Sequence, residues 1–117
     1  MYISINVDNL KYNYIMITGP TKNKLKSYLF FYKILYATNL FTMSSLLLNF
    51  NNVDKENIPL YLTNIEKYIL NKFNHNNKHV SLSVFNCKKY NKNIKIMISG
   101  IWESDTNIGL VYKYIYL

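Results

Sequence analysis

The chain has 117 residues and a mass of 13.9 kDa, enough for one hydrophobic core, and is expected to form a single domain over residues 1–117. Fourteen lysines, no arginine and six acidic residues give a net charge of +8. Half of the residues are hydrophobic, 16% are aromatic and one is a cysteine, which excludes the collagen-like, disulfide-framework and disordered classes.

The first segment of the chain is predicted to be a β-hairpin. Residues 2–7 and 11–18 alternate between apolar and polar side chains as strands do, and a short polar turn at residues 8–10 lies between them. Gly19-Pro20 follows the second run and ends it, because glycine and proline together favour a turn. Two antiparallel strands are therefore expected before residue 20.

A long helix is expected after this hairpin. Thr21 suits a helix cap, and apolar side chains follow it at helical spacing. Other apolar side chains fill the opposite side, so this helix is expected to be buried and central. The positions at helical spacing are Leu25, Tyr28, Leu29, Tyr32 and Tyr36. A second, short helix is predicted from Phe41 to Asn49.

Residues 28–48 are mostly apolar and are long enough to cross a bilayer. Lys33 and Asn39 lie near the middle of this segment, where charged and polar side chains are rare in membrane helices. We therefore expect two buried helices here, with a break near residues 37–40, and no membrane partner.

The second half of the chain is predicted to contain one helix and three strands. Residues 49–57 form the longest polar loop, and Pro59 suits the first turn of the next helix. The apolar stripe of that helix is Leu62, Ile65, Ile69 and Phe73, which predicts that it lies on a sheet. Alternation then predicts strands over residues 80–84, 94–98 and 108–117.

The predicted order of elements is strand, strand, helices, strand, strand, strand. A hairpin and a three-stranded meander joined through helices make an antiparallel sheet of about five strands, with helices mainly on one face, which is an α+β domain. This order of elements is similar to that of PAS-type and profilin-like folds. A shared order of elements carries no expectation about function.

No catalytic residue, metal site or cofactor is expected. His79 and Cys87 would lie about 26 Å apart in one extended strand, too far for a nucleophile and its base. His75 and His79 have the spacing of two ligands on one helix face, but the residues between them do not favour a helix. Glu103 and Asp105 share a predicted loop, where acidic residues commonly serve solubility. The sequence therefore indicates a protein that is not an enzyme.

Three lysines stand at the start of the predicted long helix, where positive side chains oppose the helix dipole. A phosphate group bound at that helix N-terminus would relieve the conflict, because free backbone amides and ammonium groups attract it. We therefore predict contact with a nucleic-acid backbone at Lys22, Lys24 and Lys26. The alternative is that mutational drift placed lysines on a solvated helix end.

A second basic cluster surrounds a predicted hairpin turn. It consists of Lys88, Lys89, Lys92 and Lys95, with Tyr90 at the tip. A basic hairpin with one aromatic side chain could straddle a groove or stack on an unpaired base. Basic turns also protect sheets from pairing edge to edge, which is a sufficient structural reason for them.

The sheet face opposite the helices is expected to be rich in tyrosine. Such a face resembles in its chemistry the platforms that stack single-stranded bases. It equally suits burial against a protein partner or a second copy of the chain. The residues predicted on this face are Tyr12, Tyr14, Met97, Tyr112 and Tyr114.

Lysine, asparagine, isoleucine, tyrosine and phenylalanine dominate the composition, and their codons point to an AT-rich genome such as that of a virus, a phage or a mobile element. The single cysteine favours an intracellular location. The first hypothesis is a non-enzymatic accessory protein that binds the backbone of DNA or RNA, without base-sequence readout because arginine is absent. The alternative is a protein-interaction module, either a subunit of a larger complex or an antagonist of a host factor, that uses the tyrosine-rich face or an exposed edge strand.

Overall fold

A computed structural model of the chain describes residues 4–22, 30–51, 53–74, 77–81 and 94–116. Within these ranges eight strands form one mixed sheet and one α-helix packs on it, so the predicted α+β class is confirmed. The strands are β1 (Ile5–Asn6), β2 (Ile15–Lys22), β3 (Phe30–Ala37), β4 (Thr42–Met43), β5 (Leu46–Asn49), β6 (His79–Val80), β7 (Ile94–Glu103) and β8 (Asn107–Tyr116). The helix α1 spans Ile58–Phe73, and short 3-10 helices cover Val7–Asn9, Tyr12–Tyr14 and Lys55–Asn57.

Strand β7 is the centre of the sheet. One of its edges pairs with β8 in antiparallel register along the whole strand. Its other edge pairs first with β5 and then with β3, both antiparallel. Strand β2 pairs with the far side of β3. Two short parallel pairings, β1 with β5 and β6 with β8, make the sheet mixed.

Helix α1 forms where the sequence predicts it. Pro59 lies in its first turn, where a missing N–H costs no helical hydrogen bond. The side chain of Asn74, just after the helix, accepts a hydrogen bond from the Lys78 N–H (2.9 Å) and donates one to the Lys78 carbonyl (2.8 Å), which fixes the turn into β6. The buried residues of the helix are Ile58, Leu62, Ile65, Glu66, Ile69 and Leu70.

The sheet has two faces, which we name by their relation to α1: side chains on the helix face turn towards α1, and those on the outer face turn away. On β7, Ile94, Ile96 and Ile98 are buried on the helix face, as predicted. The register between β7 and β8 then shifts by one residue at Ser99. Because of this bulge, the next side chain on the helix face after Ile98 is that of Ile101, and Gly100 lies on the outer face. Residues paired across neighbouring strands share a face, which extends both faces over the sheet.

The predicted central helix is wrong, because residues 30–37 form β3 and Thr21 lies inside β2. Ile34 and Tyr36 are buried on the helix face, whereas Lys33 and Leu35 lie on the outer face. A short apolar run fits a buried helix and a buried strand equally well, so periodicity does not separate them. Aromatic and β-branched residues favour the strand, which pairs with β2 on one side and β7 on the other.

The predicted short helix from Phe41 to Asn49 is also wrong, because this segment forms β4 and β5. The hydroxyl of Thr38 accepts hydrogen bonds from the N–H groups of Leu40 (3.1 Å) and Phe41 (3.2 Å), which turns the chain between β3 and β4. All four residues of β5 are buried, so apolar content without a clear period gave the wrong element here.

The predicted N-terminal hairpin is wrong as well. Strand β1 pairs in parallel with β5, a 3-10 helix occupies Tyr12–Tyr14, and β2 pairs with β3 instead. Five strands therefore precede α1 in the described ranges, and the predicted five-stranded antiparallel sheet is a mixed sheet of eight strands. None of the helices in these ranges is long and apolar enough to cross a bilayer.

Candidate nucleic-acid interface

Three lysines from three different strands lie on the outer face. Lys33 of β3 pairs with Gly100 of β7, Lys95 of β7 pairs with Ile115, and Lys113 of β8 pairs with Met97. Lys33 and Lys113 are exposed and Lys95 is half-buried. Strand alternation thus brings together three cations that lie far apart in the sequence.

The register also sets the spacing of these lysines. Lys95 and Lys113 are diagonal neighbours on β7 and β8, which places them about 7–8 Å apart. Lys33, Gly100 and Val111 lie in one row across three strands, so Lys33 is about 12 Å from Lys113. The three lysines therefore lie on one patch of the outer face.

Two aromatic side chains lie on the same face, at the next paired position beyond Lys33 and Gly100. Phe31 and Trp102 pair across β3 and β7, and both are half-buried. A Cβ atom added at Gly109 would lie 2.6 Å from three atoms of the Trp102 indole, and one at Gly100 would lie 2.5 Å from Cζ of Phe31. Each ring therefore packs against a glycine, which allows it to lie close to the sheet.

The outer face carries no carboxylate in the described part of the chain. Glu103 and Glu66 are buried on the helix side of the sheet, and the other four acidic residues are exposed in segments between the strands and the helix. These four are Asp8, Asp54, Glu56 and Asp105. The charge of the patch is therefore positive, because nothing described on it opposes the three lysines.

The rest of the outer face is apolar. It includes Met16, of which 51% is exposed, and the half-buried Leu35, Met97, Val111 and Ile115. Register also assigns Leu47 to this face, although that side chain is buried. The patch therefore combines apolar and aromatic contact area with a basic rim.

Most of the basic residues predicted from the sequence lie outside the residues that the structure describes. Lys95 is on the outer face as expected. The backbone of Lys22 pairs with Phe30 at the end of β2, so the prediction that Lys22 lies at a helix N-terminus is wrong. Six predicted residues lie outside the described residues: Lys24, Lys26, Lys88, Lys89, Lys92 and Tyr90.

The tyrosines predicted for the outer face lie elsewhere, and only Met97 of that set is there. Tyr112 and Tyr114 pair with Ile98 and Ile96 on the helix face. The Tyr12 ring packs on Tyr68 of α1 at 4.7 Å between centroids, and the Tyr14 ring packs edge-on against Tyr36 at 5.9 Å. The predicted strand alternation through residues 12–14 is wrong, because the chain makes a 3-10 turn there.

A buried ionic cluster joins the helix end to the sheet. Lys78 Nζ lies 3.1 Å from Glu103 Oε2 and donates a 2.8 Å hydrogen bond to the Ser104 carbonyl. The Tyr32 hydroxyl donates a 2.8 Å hydrogen bond to Glu103 Oε1. Burial raises the pKa of Tyr32, and its hydrogen bond to Glu103 raises it further. Glu103 is therefore a buried structural anchor, and the prediction of a surface role for it is wrong.

His79 is exposed in β6, after the end of α1 at Phe73. His75 and Cys87 lie outside the described residues.

No family model, curated protein or solved structure matches the chain. The similarity in element order to PAS-type and profilin-like folds depended on a long helix directly after the second strand. That helix is absent from residues 30–37, which form β3. The outer face is therefore interpreted from its own chemistry.

Proposed function

We propose that the chain is a small accessory protein that binds single-stranded nucleic acid on its outer face. One observation carries the proposal: Lys33, Lys95 and Lys113 share a sheet face with Phe31 and Trp102, and the structure describes no carboxylate on that face. Ammonium groups attract phosphates, and aromatic rings stack on bases. Lys33 and Phe31 are two residues apart on β3, so one phosphate contact and one stacking contact lie about 7 Å apart on this face.

The shape of the patch favours single strands over duplexes. A duplex is commonly read by a helix or a two-stranded ribbon inserted into its major groove. A sheet face with aromatic rings packed against it instead suits bases that are already unstacked. We therefore expect oligonucleotides without secondary structure to bind more tightly than duplexes of the same length.

The kind of cation indicates how such binding would behave. Lysine is a mobile point charge, whereas the guanidinium of arginine reads guanine and phosphate in a bidentate way, and the chain has no arginine. Binding should therefore show little base preference and depend strongly on salt. Three phosphate contacts correspond to a slope of about −2 for log K against log salt concentration.

The other lysines predicted from the sequence stay in the proposal as additional contacts. Lys22, Lys24, Lys26, Lys88, Lys89 and Lys92, together with Tyr90, stay predicted contacts to the nucleic-acid backbone. The proposal includes an intracellular location, because nucleic acid is met inside cells. It also includes an AT-rich source genome, which the abundance of lysine, asparagine, isoleucine, tyrosine and phenylalanine indicates. No reaction is assigned, since the buried carboxylate of Glu103 is already held by Lys78 and Tyr32.

Fluorescence anisotropy with labelled oligothymidylate and oligouridylate of about twenty nucleotides tests the proposal, because this length exceeds the usual site of one small domain. The test variant is Lys33→Gln/Lys113→Gln, which removes two of the three described lysines from the outer face. The control is Lys55→Gln/Lys67→Gln, which removes the same charge from exposed positions in a 3-10 helix and on α1.

We expect the test variant to bind more weakly and its salt slope to fall from about −2 to about −0.7, while the control keeps most of the parental slope. Absence of binding by the parent at low salt would overturn the proposal. Equal weakening of the test and control variants would show that net charge, not the outer face, attracts the oligonucleotide.

A further inference from the structure

An open cleft lies at one edge of the sheet, between the edge strand β2 and the C-terminal end of α1. Its volume is about 730 Å3, within the range of small-ligand and peptide-anchor sites. Ile15, Ile17 and Gly19 line it from β2, and Lys72 and Phe73 line it from the helix. Tyr32 forms part of its floor. The cleft therefore runs along the strand rather than across it.

In the part of the chain that the structure describes, the strand wall of this cleft is an edge of the sheet. Within the described residues β2 pairs with β3 on one side and with no strand on the other. Backbone groups of a strand alternate between its two sides, so every second residue of β2 turns its N–H and C=O away from β3. Lys72 Nζ lies 3.4 Å from the carbonyl oxygen of Ile15, which shows that a side chain from the helix reaches this backbone.

The usable part of the edge is short and has clear limits. Residues 15–18 pair regularly with β3, and the register then shifts between Thr18 and Thr21 at the Gly19-Pro20 step. Proline has no N–H to offer a new strand, so pairing at this edge would stop there. Four regular residues correspond to about 14 Å of strand.

The walls of the cleft are apolar and aromatic, with one positively charged side chain. Ile17, Phe73 and Tyr32 provide apolar and aromatic surface, with the Tyr32 and Phe73 rings 4.3 Å apart between centroids. Lys72 provides one positive charge, and its amine lies 5.6 Å from the centre of the Tyr68 ring. The described residues place no carboxylate in an ion pair with this amine. A ligand that brings a carboxylate would therefore supply the missing counter-charge.

We propose that this cleft binds an extended peptide segment of a partner protein, which adds to β2 at residues 15–18 as a further strand. One apolar side chain of the peptide packs against Ile17 and Phe73, and an acidic side chain or terminal carboxylate pairs with Lys72. Strand addition to a free edge gives affinity through backbone hydrogen bonds and specificity through alternate side chains. This site lies at the sheet edge next to the outer face, and Met16 borders both. It assigns the interaction role predicted from the sequence to the edge strand β2.

Selection from a displayed library of random peptides about seven residues long tests the proposal, since that length covers the four pairing positions with room on both sides. The matched pair of variants is Lys72→Glu and Lys67→Glu, which change charge by the same amount on the same helix. Lys72 lines the cleft, whereas Lys67 is on the exposed side of α1.

We expect selected peptides to carry an acidic residue beside β-branched or aromatic residues. We also expect Lys72→Glu to weaken their binding at least about tenfold while Lys67→Glu changes it less than about twofold, because the ion pair is local. A library that yields no enriched sequence, or peptides that bind both variants equally, would overturn the proposal. Displacement of the peptides by oligothymidylate would do the same, because it would place them on the outer face.

A scan of backbone N-methylation on one selected peptide separates strand addition from side-chain binding. If the peptide adds to β2, methylation weakens binding at every second residue, where the N–H faces the strand, and not between. Equal tolerance at all positions would contradict strand addition. The Lys33→Gln/Lys113→Gln variant should bind the peptide as the parent does, so this proposal can fail or hold independently of nucleic-acid binding.

Discussion

The hydroxyl of Tyr32 donates a 2.8 Å hydrogen bond to the carboxylate of Glu103, and this bond ties β3 to β7 at the end of the helix face. The second oxygen of the same carboxylate pairs with Lys78, whose backbone is held by Asn74 at the end of α1. One residue, of which 8% is exposed, thus connects two strands and the helix. A buried carboxylate of this kind is tolerated because both of its oxygens are satisfied.

Replacement of this carboxylate should destabilise the fold. Glu103→Gln keeps the size of the side chain but leaves the Lys78 ammonium, which is only partly exposed, without its counter-charge. We expect the free energy of unfolding to fall by about 1–3 kcal/mol in urea denaturation. The control is Asp105→Asn at an exposed position in the following turn, which should change it by less than about 0.5 kcal/mol. Equal stability of the two variants would show that the cluster contributes nothing.

Tyr32 should make stability depend on pH in alkaline solution. Burial and the bond to Glu103 raise its pKa in the folded chain above its ordinary value of 10.0, so the unfolded chain ionises first. The contribution of Tyr32 is therefore complete below about pH 10 and is lost as the pH rises through the pKa of the folded state.

Urea midpoints of the parent and Tyr32→Phe, measured between about pH 8 and pH 11, check this expectation. The variant should be less stable at about pH 8, because it lacks the hydrogen bond, and the difference should shrink above about pH 10. A constant difference over the whole range would contradict the assignment of the raised pKa to Tyr32.

The elements that the sequence predicts correctly are those with one clear period. Helix α1 has its apolar stripe on one side, and β7 begins with three buried isoleucines in strict alternation. The strand β3 has no such contrast, because Phe31 and Leu35 on its outer face are as apolar as Ile34 and Tyr36 on its helix face. Only pairing with β2 and β7, which sequence spacing does not encode, decides that this segment is extended.

The candidate site was predictable only in part for the same reason. Lys95 lies on the outer face because it alternates with the isoleucines of β7. The position of Lys33 on this face is missed because its segment is predicted to be a helix. The position of Lys113 follows only from the register between β7 and β8. The bulge at Ser99 moves Trp102 to the outer face and Glu103 to the helix face, and nothing in the local sequence marks this extra residue.

The two glycines beneath the aromatic rings should respond differently to the same substitution. A Cβ atom at Gly100 would lie 2.3 Å from the backbone carbonyl oxygen of Tyr32, which belongs to a paired strand and has little room to move. At Gly109 the close atoms belong to the Trp102 side chain, which can swing away.

We therefore expect Gly100→Ala to lower the free energy of unfolding by about 3 kcal/mol or more, and Gly109→Ala by about 1–2 kcal/mol. Urea denaturation of both variants measures the difference. A larger loss for Gly109→Ala would contradict the packing described for the outer face.

Trp102 provides a direct test of stacking, because it is the sole tryptophan of the chain and lies on the proposed interface. Its intrinsic fluorescence should be quenched as oligothymidylate binds, since a base stacked on the indole changes its surroundings. Trp102→Ala should weaken binding by about 1–3 kcal/mol, which is about a 5- to 150-fold rise in Kd, the range of one lost base–aromatic contact.

The matched control is Tyr61→Ala, which removes a half-buried aromatic ring from the helix side of the molecule. It should leave oligonucleotide affinity within about twofold of the parent, because base stacking is a contact effect. Circular dichroism of both variants confirms that each is folded before affinities are compared. If oligothymidylate binds with unchanged Trp102 emission, or if both variants lose affinity equally, bases do not stack at this position and the lysines act through charge alone.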